Sequence, residues 1–244
     1  MDSGVALVIE NDPTDDIRRL GDWLTAAGLR LSVVRPHLGE PLPSSLEGFA
    51  ALIVMGGEQS AYDTEVSWFP QLESLLRKAV RYHVPTLGVC LGGQLLAQAL
   101  GGQVEPSQNG LEIGAKLVAK RDVAAEDPLF GPIPFAPDVI QYHSDEITLL
   151  PAGAVLLAAS THYPHQAFRV GDRAWGIQFH IETDTDMFAS WTDGLEGAEE
   201  LVAGVQERQE DVREVWQPFA SRFADLALGR GVEGTRRSLP LVAR

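Results

Sequence analysis

Three short, largely apolar segments, each followed by a helical pattern, constrain the fold of this chain more than any other feature. The segments are Val5–Ile9, Ala50–Met55 and Pro85–Val89. Their aliphatic and β-branched residues are typical of strands that are buried on both faces. Apolar residues recur at helical spacing after each segment. This alternation predicts an α/β fold with a mainly parallel central sheet and helices on both faces. In such a fold, ligands bind outside the carboxyl ends of the strands.

The middle of the chain has a different pattern. From Val104 to Glu182 the helical periodicity is weak, and short apolar stretches alternate with proline and glycine. This pattern predicts antiparallel strands that are added to the sheet. The predicted strands are Leu111–Lys120, Val139–Tyr142, Val155–Ser160, Ala167–Val170 and Ala174–His180.

Local signals predict the ends of the helices and the domain organisation. Asp12 or Thr14 is predicted to cap the first helix, and Gly28 is predicted to end it. After Glu182 an apolar helical stripe returns, and Pro218 is predicted to begin the last helix. We expect one domain over residues 1–190, a helical C-terminal extension over residues 191–228 packed on the same domain, and a flexible tail over residues 229–244.

Charge and cysteine content exclude several classes of protein. The 244 residues include 19 basic and 34 acidic side chains, which give a net charge of −15. Such a field repels phosphate backbones and anionic lipid, so binding to nucleic acid or a membrane surface is disfavoured. Cys90 is the only cysteine, which excludes an intrachain disulfide and multi-cysteine metal clusters. The sequence has neither a leader pattern nor a membrane-length apolar run, so we expect a cytoplasmic protein. We also expect that it uses neither a metal nor a cofactor.

The clearest chemical signal is the segment Gly88–Gly92, with the sequence Gly-Val-Cys-Leu-Gly. This pattern between a strand and a helix is typical of a nucleophile elbow, here with cysteine in place of serine. Cys90 is then expected at a helix N-terminus, where free N–H groups and the helix dipole favour the thiolate. The alternative is a buried structural cysteine, which is the commoner role of a lone cysteine. The elbow context favours a nucleophile.

A cysteine nucleophile requires a base and a group that orients the base. His180 follows an apolar strand, and Glu182 lies two residues later. Period-2 alternation places both side chains on the same side of an extended segment. We predict that Glu182 orients the imidazole and that the other ring nitrogen faces Cys90. The alternative is a chance pair on the surface.

The third requirement is a site for the oxyanion of the tetrahedral intermediate. Gly56 and Gly57 follow a predicted strand, and the backbone N–H of Gly57 is expected near the elbow. The N–H of Leu91, directly after the nucleophile, is the other predicted donor. The alternative for the two glycines is a tight turn.

Together these segments resemble a class I glutamine amidotransferase. The resemblance extends from about residue 5 to residue 190 and rests on Met55–Gly57, Gly88–Gln94, Tyr142–Asp145 and Gly176–Glu182. It implies a flavodoxin-like sheet and a catalytic triad of Cys90, His180 and Glu182. It also implies cleavage of the glutamine side-chain amide through a γ-glutamyl thioester, with release of ammonia. Among family members, the chain resembles stand-alone proteins similar to the amidotransferase part of GMP synthase.

The resemblance also implies residues that bind the substrate. Gln94 and Gly56 are implied in holding the glutamine, and the backbone around His143 and Ser144 is implied in contacting its α-amino and α-carboxylate groups. The chain departs from the family pattern at Ser144, where many members have glycine. It departs again at Glu58, where many members have proline, and this places a carboxylate near the expected mouth of the site.

The residues leave three functions open. About 60 residues follow Glu182, fewer than most independent domains contain, so a synthase that uses the ammonia is expected to be a separate subunit. The first function is hydrolysis of glutamine, with ammonia released for a separate acceptor or synthase. The second is a free-standing γ-glutamyl hydrolase or peptidase that acts on a small γ-glutamyl amine or peptide. The third is a non-catalytic binding protein on the same fold.

Overall fold

The computed structural model describes residues 4–231 of the chain. The strands are β1 (Val5–Ile9), β2 (Arg30–Val34), β3 (Ala51–Val54), β4 (Thr86–Val89), β5 (Gln103–Pro106), β6 (Glu112–Leu117), β7 (Ala119–Lys120), β8 (Asp138–His143), β9 (Asp145–Leu149), β10 (Val155–Ala159), β11 (Ala167–Val170) and β12 (Ala174–Ile177). The helices are α1 (Arg18–Ala26), α2 (Phe69–Arg81), α3 (Leu91–Ala99), α4 (Thr185–Trp191) and α5 (Ala198–Ala227).

An eight-stranded sheet forms the centre of the molecule, in the order β2-β1-β3-β4-β12-β11-β10-β7. The first five strands are parallel to their neighbours, and the last three are antiparallel. Two further antiparallel pairs, β5 with β9 and β6 with β8, lie outside this sheet. The predicted α/β architecture, with a mainly parallel sheet and added antiparallel strands, is confirmed.

Each face of the sheet is covered by its own hydrophobic core. Successive side chains of β1 point to opposite faces, as strand geometry requires. Ala6 and Val8 pack into the core that also contains residues of α1 and α5. Leu7 and Ile9 pack into the core that contains residues of α2 and α3. Burial on both faces explains why the parallel strands have continuous apolar sequences.

The first helix begins later than predicted. Its first residue is Arg18, and no side chain caps it, so the prediction of a cap at Asp12 or Thr14 is wrong. Asp12 instead closes a turn, in which its Oδ1 accepts hydrogen bonds from the N–H and the hydroxyl of Thr14 at 2.8 and 2.7 Å. The predicted end of this helix is confirmed, since Gly28 has φ +100° directly after the C-cap. Local turn formation therefore replaces capping in this loop.

The last helix is continuous through Pro218, so the prediction that this residue begins a helix is also wrong. Helix α5 spans 30 residues, with Pro218 in its interior and exposed. Buried residues on one stripe continue across the proline: Val205, Val212, Trp216, Phe219, Ala220, Phe223 and Ala224. Packing of this stripe outweighs the cost of a proline inside a helix, which is about 3 kcal/mol.

The bounds of two predicted strands differ from those of the observed strands. The predicted strand Leu111–Lys120 divides into β6 and β7, and the predicted strand Ala174–His180 ends at Ile177. Most of the predicted tail, residues 232–244, lies outside the described residues. Within residues 4–231, no helix combines the length and hydrophobicity that a membrane span requires.

Candidate active site

The order of the sheet brings four chain segments together at one edge. Strands β1, β3, β4 and β12 are parallel neighbours, so their carboxyl ends lie side by side. The segments that follow these strands contain Asp15, Gly57, Cys90 and His180, respectively. Residues that are far apart in the sequence therefore meet where open α/β sheets bind their ligands.

Cys90 lies in a strained turn between β4 and α3. Its backbone angles are φ 49° and ψ −111°, a conformation that is costly for a residue with a side chain. The neighbouring elements are too close for side chains on either flank: a Cβ at Gly88 would lie 2.4 Å from the carbonyl oxygen of Gly92, and a Cβ at Gly92 would lie 2.0 Å from that of Val54. The thiol is 7% exposed. The segment therefore has the geometry of a nucleophile elbow.

His180 and Glu182 form a buried pair. His180 Nδ1 donates to Glu182 Oε1 at 2.6 Å, and Glu182 Oε2 accepts from the backbone N–H of Ile181 at 2.9 Å. His180 and Glu182 are both at most 2% exposed, so the alternative of a chance surface pair is wrong. Backbone hydrogen bonds to Ile140 in both directions hold His180 in place.

Charges in the site favour the protonated imidazole. Burial alone would lower the pKa of His180, but electrostatic interactions with Glu182, Cys90 and Asp15 and a side-chain hydrogen bond to Cys90 outweigh burial and raise this pKa well above its ordinary value. Burial opposes ionisation of Glu182 as well, and His180 overcomes this effect and keeps the pKa of Glu182 low. The arrangement therefore favours an imidazolium at His180 beside the Glu182 carboxylate.

Two glutamines form a chain of hydrogen bonds that ends at the thiol. Gln178 Nε2 donates to Cys90 Sγ at 3.7 Å, and Gln94 Nε2 donates to Gln178 Oε1 at 3.1 Å. Gln94 also lines a cavity next to Cys90. The sequence predicted only a substrate contact for Gln94, and Gln178 was missed although it lies two residues before His180.

Two cavities meet at Cys90 and share Gly57, Glu58 and Tyr142 in their walls. The larger has a volume of about 250 Å³ and is lined further by Gln59, Ser60, Gln94, Leu111, His143, Ser144 and Asp145. The smaller has a volume of about 150 Å³ and is lined further by Thr14, Asp15, His180, Ser190 and Trp191. Most of the predicted substrate-binding residues therefore lie around the larger cavity, and His180 lies at the smaller one.

The residues predicted to bind the oxyanion and the substrate do not all lie at the cavities. Gly57 borders both cavities, and Leu91 is the first residue of α3, where a helix has N–H groups without intrahelical acceptors. The side chain of His143 is bonded to Glu112 Oε2 at 3.0 Å and to the carbonyl oxygen of Asp145 at 2.9 Å. Gly56 is buried and lies against Asp15 rather than at either cavity.

Asp15 is a third carboxyl group in the site, and sequence analysis missed it. It is 5% exposed, and its Oδ1 has no hydrogen-bond partner among the described residues. Its Oδ2 fills the space beside Gly56, because a Cβ at Gly56 would lie 1.9 Å from this oxygen. Burial raises the pKa of Asp15 to about 8. His180 acts to lower this pKa, and Glu182 acts to raise it further. Asp15 follows β1 at the carboxyl ends of the parallel strands, and this position was the signal that could have identified it as a site residue.

Asp15, His180 and Glu182 also place three possible ligand atoms within 4.8 Å of one another. A metal bound at this position would compete with the existing bond between His180 Nδ1 and Glu182 Oε1. Two of the three possible ligands are therefore already used by the histidine–glutamate pair.

Fold and site together define the class: an α/β protein with a cysteine at a nucleophile elbow and a buried histidine–glutamate pair beside it. The model of the family "Glutamine amidotransferase class-I" matches residues 18–189. The chain belongs to this class I glutamine amidotransferase family, whose members are generally hydrolases.

Individual relatives come from two functional groups. A GMP synthase (glutamine-hydrolyzing) of Porphyromonas gingivalis is 34% identical over 142 residues, which are 58% of this chain and 26% of that protein. The chain thus spans about a quarter of that relative. Gamma-glutamyl peptidase 4 of Arabidopsis thaliana is 27% identical over 192 residues, which are 75% of this chain and 76% of the peptidase. The crystal structure of a Thermotoga maritima glutamine amidotransferase has a TM-score of 0.80 and 26% identity, and the match covers 91% of this chain and 98% of that one.

Proposed function

We propose that this protein hydrolyses the side-chain amide of glutamine through a γ-glutamyl thioester on Cys90 and releases ammonia for a separate acceptor or synthase. The observation that supports this function is the buried His180–Glu182 pair beside a cysteine in an elbow conformation. Nucleophile, base and orienting acid are the three groups that covalent amide hydrolysis requires.

In the first half of the proposed reaction, the Cys90 thiolate attacks the γ-carbonyl carbon of the substrate. The N–H groups of Gly57 and Leu91 stabilise the resulting oxyanion. The C–N bond then breaks, and the imidazolium of His180 donates its proton to the departing nitrogen. Glu182 holds the ring through Nδ1, so that the other nitrogen carries the proton toward the reacting atoms.

In the second half, His180 accepts a proton from water, and the hydroxide attacks the thioester carbonyl. The C–S bond breaks, which releases glutamate and regenerates the thiolate. Gln94 and the backbone around His143 and Ser144 lie at the larger cavity and are suited to the charged α-amino and α-carboxylate ends of the substrate. The GMP synthase relative, described as glutamine-hydrolyzing, supports the same chemistry.

A second candidate function is hydrolysis of a larger γ-glutamyl amide without a synthase. The observation that favours it is the smaller cavity of about 150 Å³ beside His180, because ammonia is about the size of a water molecule, which occupies roughly 30 Å³ in the liquid. The similarity to a gamma-glutamyl peptidase also supports it. The complete set of Cys90, His180 and Glu182 supports an enzyme over the third candidate, a non-catalytic binding protein, because binding alone does not require these three residues.

Ammonia release from glutamine tests the proposed function, measured with and without cell extract that supplies a partner subunit. We expect activity in the wild type and a loss of at least about a thousandfold in Cys90→Ala and His180→Ala. His162→Ala, at an exposed histidine, is the matched control and should retain full activity. Ammonia release that persists in Cys90→Ala would contradict the thioester mechanism. A γ-glutamyl amide that is hydrolysed while glutamine is not would favour the second candidate.

A further inference from the structure

Arg19 contacts the backbone on both sides of Glu182. Its Nε donates to the carbonyl oxygen of Ile181 at 3.0 Å, and its Nη2 donates to the carbonyl oxygen of Thr183 at 2.7 Å. We infer that Arg19 is a positioning residue, which holds the Glu182 carboxylate in the place where it orients His180. This inference rests on the proposed hydrolysis of γ-glutamyl amides and adds a residue that acts through Glu182.

The shape of a guanidinium group suits these two acceptors. It presents its N–H donors in a rigid, planar fork, so one side chain fixes the carbonyl groups of Ile181 and Thr183 relative to each other. The ammonium group of lysine is a point charge and has no such fork. Glu182 lies between the two fixed residues, and its Oε2 accepts from the Ile181 N–H at 2.9 Å. The segment that carries the carboxylate is therefore the segment that Arg19 holds.

Two helices hold the Arg19 side chain. Arg19 is the second residue of α1, and its guanidinium carbon lies 5.3 Å from the centre of the Trp23 ring on the same helix, within the range of a cation–π contact. Its Nη1 donates to Oε1 of Gln209 on α5. The position of Glu182 is therefore linked to α1 and α5, and not only to its neighbours in the sequence.

The positive charge of Arg19 does not stabilise α1. The first turn of this helix contains no acidic residue, and a cation near a helix N-terminus opposes the helix dipole. Burial lowers the pKa of Arg19, whereas the negative charges of Glu182 and Asp184 act to raise it. A positive charge that interacts with Glu182 also favours the ionised form of this carboxylate, which is the form that accepts the hydrogen bond from His180.

A double-mutant cycle between Arg19 and Glu182 tests the inference, with kcat and KM measured for the better of two substrates, glutamine and γ-glutamyl-4-nitroanilide. We expect Arg19→Met to lower kcat by about ten- to a hundredfold, because a misplacement of about 1 Å can cost about a hundredfold in rate. KM should stay nearly constant, since Arg19 lines neither cavity at the site. In the Glu182→Gln background, Arg19→Met should cost little further activity, because residues that act as a unit have non-additive effects.

Arg222→Met is the matched control for loss of a half-buried arginine. Arg222 also donates to a backbone carbonyl oxygen, that of Leu129, at 3.0 Å, but this contact lies outside the residues that line the two cavities. Its substitution should leave kcat nearly unchanged. Arg19→Lys keeps the charge without the fork and replaces Arg19→Met if that variant does not fold. We expect a smaller loss of kcat in Arg19→Lys, which again nearly disappears in the Glu182→Gln background.

The outcomes separate this inference from the proposed function. A wild-type kcat in Arg19→Met would overturn the positioning role, while thioester chemistry at Cys90 would stand. A loss of kcat that is equally large with and without Glu182→Gln would show that Arg19 does not act through Glu182, and it would also overturn the inference. Absence of hydrolysis of both substrates by the wild type would overturn the proposed function and, with it, the inference.

Discussion

Asp15 shows how a single buried side chain can set a pH dependence. Its carboxyl group lies between Gly56 and the His180–Glu182 pair, with little access to water. Burial disfavours the charged form and raises its pKa to about 8. At neutral pH the folded protein therefore holds this group as a neutral acid, whereas in the unfolded chain it ionises near its ordinary pKa of 3.8.

The sign of the effect on stability follows from this difference. Between the unfolded and the folded pKa, the folded state binds the additional proton, so Asp15 makes the protein less stable as the pH rises. We predict that Asp15→Asn gains stability relative to the wild type between pH 5 and pH 8, by up to about 1.4 kcal/mol per pH unit. Urea denaturation at several pH values measures the difference.

The neighbouring partly exposed Asp16 provides the control for this experiment. The difference in unfolding free energy between Asp16→Asn and the wild type is measured over the same pH range for comparison. A difference between Asp15→Asn and the wild type that does not change with pH would show that Asp15 is ionised in the folded protein.

The elbow depends on close backbone contacts between β4, α3 and β3. A methyl group at Gly92 would lie 2.0 Å from the carbonyl oxygen of Val54, and neither backbone can move without disturbing the sheet. We predict that Gly92→Ala lowers the free energy of unfolding by at least about 3 kcal/mol. Chemical denaturation of the purified variant measures this loss.

Gly204→Ala is the matched control for the elbow substitution. Gly204 lies inside α5, and a Cβ there would meet no atom within 4 Å. Alanine should raise stability by roughly 0.5–1 kcal/mol through its higher helix propensity. Similar effects of the two substitutions would contradict the steric account of the elbow.

Elements with strong periodicity could be predicted from the sequence, and elements that depend on distant partners could not. The bounds of β1 and β11 match the prediction. By contrast, β5 was missed because only Val104 among its four residues is buried, so the strand has no alternating pattern. It exists because it pairs with β9. Helix α5 continues through Pro218 for a similar reason: its packing partners lie elsewhere in the chain.

The same distinction applies to the site. Cys90, His180 and Glu182 occur in local patterns that sequence analysis can use, and the structure brings them together. Asp15 and Gln178 contact the site only because the sheet order places β1, β4 and β12 near one another. That order results from the whole fold, so local motifs do not contain it.

At the scale of the whole molecule, the C-terminal helix completes one of the two cores. Trp216 of α5 packs against Phe130 and Phe179, with ring centroids 6.0 and 5.0 Å apart. Phe223 packs against Trp175 of β12 at 6.4 Å. These rings are fully buried, so the helix covers the sheet rather than standing apart from it.

We therefore predict that a chain ending at residue 197 does not fold cooperatively. Truncation of one buried aromatic side chain commonly costs about 3–5 kcal/mol, and the total stability of a domain is about 5–15 kcal/mol. Thermal unfolding followed by near-ultraviolet circular dichroism measures the transition. A cooperative transition in the shortened chain would show that residues 1–197 are an independent unit.

Covalent labelling of Cys90 by a chloroketone or diazo-ketone analogue of glutamine is the most direct test of the central claim. Because Cys90 is the only cysteine, mass spectrometry of the intact protein and of the peptide that contains it gives an unambiguous result. We predict one adduct on Cys90, slower labelling in the presence of a γ-glutamyl substrate, and a large loss of reactivity in His180→Ala. Failure to label Cys90, together with unchanged thiol reactivity in His180→Ala, would contradict a γ-glutamyl thioester mechanism.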